Sequence, residues 1–132
     1  MSHFLLIYIG ENIKFDFDKT IDAICSIKNV YGIDKNNVKE NKNSNNYYAL
    51  EFDFKWGNEH VSVSLDRNHE CFFVKNFSTA SLVFAYSLQK QMPSVDLLAT
   101  DVDYSFLCQL NKISSMEEFE KVVAQHIHMD KQ

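Results

Sequence analysis

The 132-residue sequence predicts an α+β domain: a largely antiparallel sheet, in the order β-α-βββ-α-ββ-α, with helices packed on its aromatic face. Three observations predict it. Residues 48–65 hold two runs of period two separated by Gly57-Asn58, the pattern of antiparallel strands with one buried and one wet face. Apolar residues at helical spacing recur over 21–30, 82–88 and 119–123. Strands fall in groups with helices between the groups, which favours α+β over a doubly wound parallel sheet.

Each element has its own warrant. The continuous apolar run over 4–9 reads as a strand buried on both faces or lying under a helix. Gly10-Glu11-Asn12 turns the chain. Asp16 or Asp18 caps the first helix, whose stripe is Ile21, Ile24, Ile27 and Val30, and Gly32 stops it. Residues 34–46 carry mostly Lys and Asn and one apolar residue, Val38, so they read as an exposed, mobile loop.

In the next strand Tyr48, Leu50, Phe52, Phe54 and Trp56 face the core, and Glu51 and Asp53 face solvent. Val61, Val63 and Leu65 repeat the pattern, Asp66-Arg67-Asn68 turns, and 71–74 returns. Phe52, Phe54, Trp56, Val63 and Phe73 are the expected core of this meander. Ser78 or Thr79 caps a second helix that Met92-Pro93 ends. Residues 95–99 form a short strand. Asp101 and Asp103 lie in a turn, and Tyr104, Phe106, Cys108 and Leu110 mark one face of the next strand. Ser114 with Glu117 and Ser115 with Glu118 form two overlapping capping boxes for the last helix. Residues 126–132 read as a frayed tail.

Composition narrows the function. The length suits one domain with one core, spanning 1–132. Net charge is −5, and Arg67 is the only arginine, so the basic footprint of a nucleic-acid binder is missing. Three cysteines, far apart and among apolar neighbours, read as buried thiols in a reducing compartment rather than a disulfide framework. No apolar run reaches the roughly 18 residues of a membrane span, and the first residues lack the marks of a secretion signal. The expectation is a cytoplasmic protein with no membrane contact.

The chemical constellations are weak. His60, His69 and Cys71 could converge, but neither they nor His126 and His128 have metal-ligand spacing, so no metal is expected. No cysteine or serine sits in a nucleophile motif, and no phosphate loop exists, so no cofactor and no catalysis are expected. Glu51 and Asp53 form one carboxylate pair on a sheet face. The one local excess of negative charge joins Asp96, Asp101, Asp103 and Tyr104 to Glu117, Glu118 and Glu120. Such groups suit turns and helix starts. They also suit a partner with a cationic cleft, with Tyr104 as an anchor.

The back half resembles small immunity proteins of bacterial polymorphic and contact-dependent toxin systems. The residues that carry the likeness are 78–92, 95–99, the turn Asp101-Val102-Asp103-Tyr104-Ser105, then 106–110 and 114–123. The resemblance implies a protein that binds a cognate toxin domain, in many cases a nuclease, and blocks its active site or substrate path. The expected partner surface is Asp101, Asp103, Tyr104, Glu117 and Glu118, with Glu51 and Asp53 as a second patch. Reversing the charge of Asp101 and Asp103 is then expected to weaken binding without unfolding. The alternative is a small-ligand-binding or adaptor domain with a pocket between helix and sheet.

Overall fold

The computed structural model describes residues 4–27, 39–40, 48–75 and 77–125. The expected loop over 34–46, apart from 39–40, lies outside the described residues. So do the first helix's expected extension to Val30 and Gly32, and the tail over 126–132. Within the described residues the fold is α+β, in the predicted order. β1 (Phe4–Tyr8) leads to α1 (Phe17–Cys25), and β2 (Lys39–Glu40) precedes the meander β3 (Tyr48–Trp56), β4 (Glu59–Asp66) and β5 (Cys71–Lys75). Then come α2 (Thr79–Gln91), β6 (Leu98–Asp101), β7 (Leu107–Gln109), a 3-10 turn (Leu110–Lys112) and α3 (Met116–Ala124). The sheet runs β2-β3-β4-β5-β1-β6-β7, and every neighbouring pair is antiparallel.

The apolar run of β1 is explained by its place. It lies between β5 and β6, with Leu5 and Ile7 on the helix side and Phe4, Leu6 and Tyr8 on the other. Helix-side strand residues and the buried faces of all three helices join one core. At its centre Phe84 of α2 meets three sheet rings: Phe54 stacked at 5.5 Å, Phe52 at 6.0 Å and Phe72 at 6.4 Å. Eight residues of the 13-residue α2 are buried, which matches its nearly all-round apolar sequence.

Helix ends are satisfied by side chains near and far. The Asp16 carboxylate accepts from the Lys19 N–H and caps α1. The Glu59 carboxylate, from the start of β4, accepts from the Ala80 N–H at the first turn of α2 at 3.0 Å. Gln89 stitches the following segment: its amide donates to the Met92 and Val95 carbonyls, and its oxygen accepts from the Leu97 N–H. That stitching holds 95–97 out of the sheet, so β6 begins at Leu98 rather than at Val95. At α3 the Ser115 hydroxyl accepts from the Glu118 N–H. The Glu118 carboxylate reaches back to the Ser114 N–H and hydroxyl, so one interlocked cap replaces the two expected boxes.

Two expected core rings lie elsewhere. Phe73 is on the opposite sheet face, because in the unbroken apolar run of β5 it is Phe72 and Val74 that face the helices. Tyr48 follows it, since the register shifts between Tyr48 and Leu50 and the extra residue flips the side. Trp56 is half-buried at the core margin.

Two outcomes follow for stability. Phe84→Ala removes the ring that three others pack on and is expected to cost about 3–5 kcal/mol by denaturant titration. The Thr20 hydroxyl is buried in α1 without a hydrogen-bond partner. Thr20→Val keeps the shape and removes that cost, so it is expected to raise the melting temperature by about 2–5 °C.

Candidate functional site

All three helices pack on one side of the sheet, and no described helix covers the other. Cross-strand register defines what the uncovered face presents. Its central row by register is Leu107, Thr100, Leu6, Phe73, Ser64 and Glu51, in strand order from β7 to β3, of which Thr100 and Leu6 are buried. Beside it run Phe4 with Lys75, and Tyr8 with Cys71 and Leu98. Phe73 packs edge-on against Phe4 at 6.4 Å and tilted against Tyr48 at 6.1 Å. The face therefore has an aromatic middle. Residues Glu51, Asp53 and Lys55 of β3 alternate onto its far side.

Over β3 and β4 the face drops into a trough. Glu51 lies opposite Ser64 and Asp53 opposite Ser62, so long acidic side chains face short hydroxyls. The space has a volume of about 480 Å³ and is lined by Glu51, Phe52, Asp53, Ser62, Val63 and Ser64.

At the other side the β6–β7 connection rises with Val102, Asp103 and Tyr104. Tyr104 is 73% exposed, Leu107 60% and Val102 48%. Tyr104 does not belong to a strand. Its φ of 54° is left-handed, a conformation that a bulky residue rarely adopts, and it ends the alternation expected from Tyr104 to Leu110. Phe106, Cys108 and Leu110 keep that alternation and are buried. Its phenol lies within electrostatic reach of Tyr8. Burial first, then Tyr104, then Cys71, raises the Tyr8 hydroxyl above its ordinary 10.0.

The turn that presents Tyr104 is made by Asp101. The Asp101 carboxylate accepts from the Ser105 N–H at 2.6 Å, and its carbonyl accepts from the Tyr104 N–H at 3.1 Å. The same device occurs at Asp66, which accepts from the Glu70 N–H at 2.6 Å and, through its carbonyl, from the His69 N–H at 3.0 Å. His69 is left-handed in turn, with φ of 60°. Asp-Val-Asp-Tyr-Ser and Asp-Arg-Asn-His-Glu are thus two copies of one turn chemistry.

The expected site residues separate accordingly. Asp101 is 4% exposed, so it shapes the turn rather than offering surface, and reversing its charge would break the turn. Asp103 and Tyr104 are exposed at one side of the uncovered face. Glu51 and Asp53 are exposed on the other, about 19 Å away by four strand spacings. Glu117 is exposed and Glu118 is committed to the helix cap, and both lie in the helix layer with α3, away from Glu51 and Asp53. Phe4, Tyr8, Tyr48 and Phe73 are half-exposed on this face although their sequence pattern reads as core, because an apolar strand residue reads as core whichever face it takes.

The two described histidines stand apart. His60 opens β4 and His69 follows its far end, about 20 Å apart by strand rise, so they do not converge. His69 instead stacks on Phe17 at 5.3 Å. Among the described residues no group of three or more His, Cys, Asp or Glu could hold a metal ion. All three cysteines are free, with Cys108 buried and the others half-buried. Burial, and then the Asp66 charge, pushes the Cys71 thiol up to about 12. Burial and Glu118 raise Cys108 as well. Lys75 lies at the far end of β5 and does not activate Cys71.

A second depression lies between α1 and the segment after α2. It measures about 470 Å³, with Ile9, Ala23, Met92 and Val95 as apolar lining and Lys14 and Lys19 among its polar residues. Among the described residues no helix is long and apolar enough to cross a membrane. Compared with known protein families, curated proteins and solved structures, the chain matches none.

The raised thiol and phenol groups set an alkaline limit. A folded-state value above the unfolded one favours the fold while the group is protonated. That contribution is complete below about pH 9 and is lost as pH rises toward 12. Denaturant midpoints are expected to hold from pH 7 to 8.5 and fall from pH 9 to 11. Cys71→Ala is expected to flatten that fall, and an unchanged slope in the variant would contradict the assignment.

Proposed function

We propose that this chain is an immunity protein, a cytoplasmic, non-catalytic inhibitor that binds a cognate bacterial toxin domain one-to-one and occludes it. The observation that carries the reading is the uncovered sheet face, with an aromatic middle and carboxylates on both sides. Aromatic groups in the middle of a patch supply most of the energy of a protein interface, and a charged rim steers encounter. Exposed Tyr104, Leu107 and Val102 extend that surface. The likeness of 78–123 to immunity proteins points to the same role, and a net charge of −5 suits a toxin with a cationic cleft.

A small-ligand-binding domain is the second reading. The depression between α1 and the segment after α2 supports it, since about 470 Å³ with an apolar lining is within the range of ligand sites.

One titration separates the two. The probe is the C-terminal domain of a secreted toxin encoded immediately upstream of the gene. Calorimetry is expected to give one-to-one binding with Kd below about 100 nM, the range of tight complexes of standard interface size. The domain's toxicity is expected to be lost when both proteins are co-expressed. No heat and no protection, or a metabolite retained through purification, would sink the immunity reading.

A further inference from the structure

We draw no further inference here: the strongest candidate, the depression of about 470 Å³ between α1 and the segment after α2, is lined by Lys14 and Lys19 together with Asp16 and Asp22, and nothing in the structure shows what ligand that balanced lining would take.

Discussion

The structure depends on the ring of Phe84. One helix, α2, sets this ring against Phe52 and Phe54 of β3 and Phe72 of β5. The contact pins the helix over the sheet's middle, and α1 and α3 then pack against α2 from either side. Both the position of the helix layer and its one-sidedness follow. With three short helices there is enough helical surface to seal one sheet face. Among the described residues no helix covers the other face, and its own side chains pack on it. Phe4, Tyr8, Tyr48 and Phe73 do so by packing on one another, which shields part of each ring and leaves the remainder to solvent.

A chain with three glycines must turn by other means. Gly57 takes the left-handed turn between β3 and β4, but Asn12, His69 and Tyr104 take the others. At His69 and Tyr104 the strain is balanced by an aspartate three residues earlier that binds two successive N–H groups through its carbonyl and its carboxylate. This local chemistry is the reason an aromatic ring stands out at the β6–β7 connection. A glycine would make the turn with less strain and present nothing. The stretch Asp101–Ser105, which the sequence reading took as resembling immunity proteins, is therefore, first, a turn that lifts Tyr104 from the sheet. Its recurrence at Asp66–Glu70 shows that the motif alone marks a geometry rather than a function.

The order of elements was legible because period-two and helical spacing differ plainly in β3, β4, α2 and α3. The faces were less so. Tyr48 shares the parity of Leu50, and only a register shift, which sequence spacing does not reveal, puts it on the other side. Phe72 and Phe73 are the same residue type, so nothing local distinguishes the core ring from the surface ring. Asp101 was readable as a turn former, but its burial depends on pairing with Leu5 in β1, nearly a hundred positions away. Glu51 and Asp53 were legible as a wet-face pair. The trough beneath them was not, because it needs the short side chains of Ser62 and Ser64 set opposite by the hairpin. Long-range register, absent from the spacing of one strand, decides each of these cases.

The described edges of the sheet are poor templates for an added strand. Among the described residues β2 has two residues and β7 three, too short to template a long added strand. On β3 beyond β2, Asp53 and Lys55 place charge along the exposed strand, a common guard against edge pairing. The same economy is missing from the aromatic face, where rings are left half-covered although such a surface promotes indiscriminate contact. Guarded edges beside a half-covered aromatic face accord with the proposed role, in which contact is made through the face and the turn at Tyr104.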